Sequence, residues 1–101
     1  MKIYVSASDL IKKGIPTDTA VDHIRKLYSW LRKNDYLSCE GIKKMDAGID
    51  EKSVVSDETI TEAIKDFMSE VYSVYLESID WKSEEFIDTL DIMLGAYSIS
   101  K

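Results

Sequence analysis

From Ser56 to Ile79 the chain reads SDETITEAIKDFMSEVYSVYLESI, with neither glycine nor proline to interrupt it. Ile60, Ile64, Phe67, Val71 and Val74 or Tyr75 recur at steps of four and three, the spacing that gathers side chains on one face of an α-helix. The start carries a readable set of end signals. Ser56 can accept a backbone N–H as N-cap, Asp57 and Glu58 sit at the positive end of the helix dipole, and Val55 and Ile60 occupy the two positions of a hydrophobic staple. Met68, Tyr72, Leu76 and Ile79 widen the apolar arc beyond one stripe. A helix that broad on its apolar side is expected at the centre of a bundle, packed on two sides.

The rest of the chain divides into shorter helical stretches around it. KIYV at residues 2–5 reads as a short extended segment or an anchoring tail. Ser8 is placed to cap a brief helix, DLIKK, which Gly14 ends. After Ile15-Pro16, Thr17 is placed to cap a long helix whose apolar stripe is Ala20, Val21, Ile24, Leu27, Tyr28 and Leu31, with Asp22 and Lys26 as an i,i+4 pair. Asn34-Asp35 marks its stop. Ser38 opens CEGIKKMDA, closed by Gly48, and residues 48–55 fit either a loop or a single helical turn. Ser83 caps a last helix whose buried face is Phe86, Ile87, Leu90, Met93, Leu94 and Tyr97, with residues 98–101 fraying. The expected fold is therefore all-α: one domain over residues 1–101, a small bundle of about four main helices with a short additional N-terminal helix. Thr19–Leu31 and Thr59–Val71 also share residue classes at an offset of 40, the pattern a repeated helical hairpin would leave.

Composition removes several function classes. Cys39 is the single cysteine and His23 the single histidine, so neither an internal disulfide nor a paired-ligand metal site is expected. No G-x-S-x-G nucleophile turn and no glycine-rich phosphate loop occurs. Asp46 to Glu51 places acids at alternate positions but lacks the turn glycine and closing glutamate of a calcium loop. We accordingly expect no catalytic residues, no metal, no cofactor and no enzymatic activity. The longest apolar runs fall far short of a membrane span, and MKIYVSASD is too short an apolar start for a signal-peptide core. A cytoplasmic location and no membrane contact follow as expectations.

Charge supplies the positive evidence. The net charge is −6, and it is unevenly spread. Residues 1–52 carry 10 Lys/Arg against 8 Asp/Glu, while residues 53–101 carry 3 against 11. Glu58, Glu62, Asp66 and Glu70 would form three successive like-charge i,i+4 pairs, roughly 1 kcal/mol unfavourable in total. Either this is a solubilising face, or it meets something positive. The functional expectation is a small acidic binding protein that occludes or titrates a basic, nucleic-acid-handling partner. By size and charge, though not by resemblance, this is the type of immunity proteins, antitoxins and inhibitors. The partner-binding residues would be Glu58, Glu62, Asp66 and Glu70, with Tyr72 or Trp30 as the aromatic anchor. Two alternatives stand beside it. One is a homo-oligomeric module, a homodimer joined through the broad face of the long helix. The other is a helix-turn-helix regulator with IDEKSVVSD as reading helix. Asp50, Glu51, Asp57 and Glu58 against a single Lys52 would oppose phosphate contact there, so no direct nucleic-acid binding is expected.

Overall fold

The structure, a computed structural model, describes residues 2–78 and 86–100, except for the side chains of 78 and 98–100. It is mostly helical, with one small antiparallel sheet. Strand β1 (Ile3–Ser6) pairs with β2 (Val54–Ser56) in the register Ile3↔Ser56, Val5↔Val55 and Ser6↔Val54, with an irregularity between Ile3 and Val5. The pairing continues past the strands, since Asp57 N–H donates to Lys2 O at 3.0 Å and Lys2 N–H donates to Asp57 Oδ2 at 3.1 Å. The extended reading of the N-terminus is thus a true strand. Its partner is the segment expected to lead into the long helix.

That pairing explains where the long helix begins. Ser56 is not an N-cap; it lies in β2, and the helical run starts at Glu62 with Thr61 at the cap position. Thr59 Oγ1 accepts from Ser56 N–H and donates back to Ser56 O, each at 3.0 Å, which closes a local turn in place of a helical one. The β-branched run Thr59-Ile60-Thr61 then favours extended backbone. Ile60 forms a bridge with Leu37, Ser38 N–H donates to Thr59 O and Thr61 N–H donates to Tyr36 O. Extended pairing with two distant segments outweighs the helix signals of Ser56, Asp57 and Glu58.

Helix α1 (Ala7–Lys12) follows β1 directly, capped by Ser6 rather than Ser8: Ser6 Oγ accepts from Asp9 N–H at 3.2 Å. Gly14 then takes a φ of 99°, the left-handed stop expected of it. Helix α2 (Thr17–Lys33) starts with Pro16 at the cap position and no side-chain cap, so Thr17 is its first helical residue. It ends at Asn34, whose Nδ2 donates to Trp30 O, and Asp35 turns left-handed at φ 61°. Helix α3 (Cys39–Ala47) has the expected Ser38 cap, with Gly41 N–H donating to Ser38 Oγ at 3.1 Å, and the expected Gly48 stop. Residues 49–53 form a turn that delivers the chain to β2.

The second long helical run comprises α4 (Glu62–Phe67), a π-helical turn (Met68–Tyr72) and α5 (Ser73–Ser78). Ser73 closes the wide turn twice over: its N–H and its Oγ both donate to Met68 O. A π turn holds an extra residue, so the buried face shifts. Ile64, Phe67, Met68 and Tyr72 are buried, Val71 and Tyr75 are half-buried, and Val74 is 66% exposed.

The centre of the fold is α2, not the run from residue 62. Ala20, His23, Ile24, Leu27, Tyr28, Trp30 and Leu31 are all buried along α2, which touches α1, α3, β2 and α6 (Phe86–Ser100). The α4–α5 run lies antiparallel to it, with Tyr72 against His23 and Phe67 against Trp30. Helix α6 runs in the same sense as α2, with Phe86 on His23 and Asp91 at Trp30, and its Tyr97 returns to Phe67. So α6 covers the seam between α2 and the π turn. The expected buried positions of α6 hold: Phe86 and Leu90 are buried, and Ile87, Met93, Leu94 and Tyr97 are partly so. Its expected start at Ser83 lies outside the described residues, and the helix extends through Ser100.

The offset-40 echo does not survive. Thr19 is inside α2 and Thr59 is in the turn before Ile60, so the two stretches are not equivalent structural units.

Candidate functional site

The acidic residues and the aromatic anchors separate. Glu58, Glu62, Asp66 and Glu70 are all exposed. Trp30 is 2% exposed and Tyr72 0%. Neither aromatic reaches the surface, so the assignment of Tyr72 or Trp30 as a partner anchor is corrected. The physical reason is visible in their polar ends. Trp30 Nε1–H donates to Asp91 Oδ1 at 2.6 Å, and the Tyr72 hydroxyl lies 2.7 Å from His23 Nε2. Aromatic side chains whose polar atoms find internal partners can be buried whole.

The four acids are also arranged differently from a single stripe. Glu58 belongs to the turn before α4, where its carbonyl accepts from Ser38 Oγ, so it has no i,i+4 relation to Glu62. Glu62 and Asp66 share one face of α4. Glu70 lies in the π turn, and its carboxylate accepts from Tyr97 Oη at 3.1 Å. Lys65 Nζ pairs with Glu62 at 2.8 Å, and that pairing raises the lysine's pKa. A mutual repulsion spread over three pairs is thereby reduced to two, with one lysine offsetting it.

Val74 is the residue that periodicity concealed. It follows Glu70 by four positions and precedes Glu77 by three, so all three share the outer side of the run. Regular α-helical spacing leaves Val74 eligible for the buried stripe. The same spacing from Glu70 and Glu77 also allows the outer side, and in the structure Tyr75, not Val74, is the one turned toward the core.

Beside the acids, the N-terminal strand brings its own charges. Tyr4 Oη donates to Asp57 Oδ1, and this bond together with Lys2 N–H holds the Asp57 carboxyl below the usual range. Burial, then Asp57 itself, raises the Tyr4 phenol. Lys2 Nζ reaches Ser69 Oγ at 3.1 Å, so β1 is pinned to both β2 and the π turn.

Inside the fold, His23 is 3% exposed and burial pushes it down to about 4, with Asp22 opposing and Lys26 adding to that shift. Burial raises the Tyr72 phenol well above its ordinary value, and Tyr75 adds to the effect. Cys39 is exposed at the first turn of α3. No group of three or more His, Cys, Asp or Glu able to hold a metal ion occurs among the described residues. A shallow groove of about 490 Å³ runs between Thr17 and Val21 of α2 and residues 49–52, but Asp50, Glu51 and Lys52 give its rim mixed charge.

The two alternatives lose their structural bases. Residues 49–57, the reading helix of a helix-turn-helix, form a turn and β2. Of the residues that broaden the long helix's apolar face, Met68 and Tyr72 are buried within the chain's own fold, Tyr72 against His23 of α2, and so are not offered to a second copy; Leu76 is half-buried and Ile79 lies outside the described residues. No helix among the described residues is long and apolar enough to cross a membrane. Comparison of the chain with protein-family models, curated proteins and solved structures finds no match.

Proposed function

We propose that the chain is a small acidic binding protein of the inhibitor, antitoxin or immunity-protein type, acting in the cytoplasm by covering a basic surface on a protein partner. One observation carries the reading: Glu58, Glu62, Asp66 and Glu70 all stand in solvent, while Ile60, Ile64, Phe67 and Met68 between them are buried. Exposed like charges speed encounter with a surface of opposite sign, and their effect is felt in the association rate and its salt dependence. The apolar contact next to them comes from Val74, flanked by Glu70 and Glu77, in place of Tyr72 and Trp30. The mechanism is occlusion. The acids pair with lysines and arginines that otherwise hold nucleic acid or another polyanion, and no chemistry is performed on the partner.

The test uses the partner recovered from the native host with immobilised protein, then purified. Glu62→Lys combined with Asp66→Lys is expected to slow association at low ionic strength by tenfold or more, with an unchanged far-UV spectrum. Association at the unaltered rate would reject the acidic face as the binding surface.

A further inference from the structure

We propose that the outward face of α6 is a contact surface for a second copy of this chain. The two helices pair antiparallel, and Ile92 of each copy seats over Gly95 and Ala96 of the other. The inference is independent of the acidic residues and of the partner proposed for them. It starts from the make-up of the helix. Residues 86–100 contain Asp88 and Asp91 but neither lysine nor arginine. The inner side of α6 accounts for Phe86, Leu90, Leu94 and Tyr97, which are buried or packed against the core. Asp88, Ile92, Gly95 and Ala96 follow at helical steps of four and three on the opposite side, and all are exposed, Ile92 at 72%.

The other long helices differ on their outer sides. Arg25, Ser29, Arg32 and Lys33 of α2 are exposed, as are Glu40, Lys43, Lys44 and Asp46 of α3. An exposed isoleucine alone is ordinary. Here it stands one turn before a glycine, which weakens a helix relative to alanine. The chain's own fold makes no use of the missing side chain, since nothing lies within 4 Å of where a Cβ would stand. Gly95 and Ala96 therefore leave a dip beside the Ile92 knob. A knob and a dip on one helix fit an antiparallel copy reciprocally, the isologous contact that closes as a two-fold dimer. The broad side of the α4–α5 run takes no part, because Met68 and Tyr72 there are buried.

Charge selects the orientation and the occupant. At a rise of about 1.5 Å per residue, the antiparallel pair holds the two Asp88 carboxylates on the order of 17 Å apart. That is beyond the screening length of about 10 Å at 0.1 M salt. A parallel pair would set them side by side. A basic partner finds little here, because Asp91 is engaged by Trp30 and Asp88 is the other carboxylate of the helix. One helix face covers less than the roughly 800 Å² per partner of a standard interface, so the dimer is weak, with a Kd on the order of 0.1 mM. The net charge of −6 on each copy opposes it. Added salt therefore strengthens this contact, the reverse of its effect on binding to a basic partner.

Sedimentation equilibrium of the full chain, from about 10 µM to about 1 mM at low and high salt, tests the proposal. A reversible monomer–dimer equilibrium is expected, several-fold tighter at high salt. Ile92→Gln removes the knob and Gly95→Gln fills the dip, both without a change of charge, and each should weaken the dimer at least tenfold. Val74→Gln, at the comparably exposed apolar residue of α5, should leave it unchanged. Where a variant does not fold, the amide shifts of the native chain decide, and those that change with concentration should cluster at residues 88–96. A monomer throughout the range would overturn the proposal. So would a dimer that is indifferent to both α6 variants, that weakens with salt, or whose concentration-dependent shifts lie elsewhere.

Discussion

The indole N–H of Trp30 in α2 donates to the carboxylate of Asp91 in α6 at 2.6 Å, so a residue 2% exposed is tied to one at the surface. The bond has a charged acceptor, which makes it stronger than an amide–carbonyl bond, and it is a polar tie that helps set α6 along α2. Replacing Asp91 by Ala removes the acceptor and leaves the buried indole N–H without it. That should cost about 1–3 kcal/mol in urea unfolding, whereas Asp88→Ala on the exposed side of α6 should change stability by under about 0.5 kcal/mol. Equal effects at the two positions would show that the Trp30 bond does not hold the helix.

Two glycines on helices make opposite predictions. A methyl group at Gly41 would lie 2.2 Å from the backbone oxygen of Thr59 and 2.7 Å from Leu37, where α3 crosses the Leu37–Ile60 bridge. Backbone cannot yield cheaply there. Gly41→Ala is expected to cost about 1–3 kcal/mol net, despite the roughly 1 kcal/mol that alanine gains in a helix. Nothing lies within 4 Å of the same position at Gly95, inside α6. Gly95→Ala should therefore stabilise by about 0.5–1 kcal/mol. Thermal unfolding of both variants, read against the native chain, tests the two opposite signs; a Gly41→Ala variant as stable as the native chain would contradict the first.

These positions also show what the sequence makes legible. Caps and stops read well where the determinants are adjacent in the chain: Ser38 before α3, Gly14 and Gly48 after their helices, and the Asp22–Lys26 pair at 3.0 Å. The stripe of α2 and the buried side of α6 read well because a 3.6-residue period needs no partner to be seen. What failed depended on distant pairing. Ser56 looks like a cap until β1 arrives to claim Val54, Val55 and Ser56, and nothing within those residues announces a strand fifty positions upstream. The acids proved exposed as expected. Tyr72 could be read either as part of the broad apolar arc or as an anchor beside the acids, and Trp30 as an anchor on the flank of α2; what was not legible is that Asp91 and His23 meet their polar atoms and let both be buried whole.

The Tyr4–Asp57 bond predicts an acid-sensitive N-terminus. The Asp57 carboxyl is held below its ordinary value chiefly by Tyr4, so the folded chain binds that proton more weakly than the unfolded one. Its contribution is fully present above the unfolded value and is lost as pH falls through the lowered one. Tyr4→Phe should bring the Asp57 titration back toward 3.8 and move the acid unfolding midpoint to higher pH. The carboxyl carbon shift of Asp57, followed by NMR, reads the first effect directly. An unchanged Asp57 titration in Tyr4→Phe would show that the phenol does not hold it.

The π turn gives the last prediction, because a turn that holds an extra residue can release it. Met68 O accepts from both the N–H and the hydroxyl of Ser73, which is the i→i+5 geometry rather than the i→i+4 of the flanking helices. Ser69 lies within this turn, and its side chain meets the exposed Lys2 and the Tyr4 hydroxyl of β1. Deleting Ser69 should let the turn tighten to an ordinary α-helical one. The contacts of Ile64 and Phe67 before it and of Tyr72 after it then keep close to their present facing. The expected cost is about 1–2 kcal/mol, with the far-UV spectrum retained. Deleting exposed Ser29 from α2 has no such outlet. It would rotate Trp30 and Leu31 by about 100° off the core, and should abolish cooperative unfolding. If both deletions prove equally damaging, the turn is not an accommodated extra residue but a fixed part of how α4 and α5 meet α2.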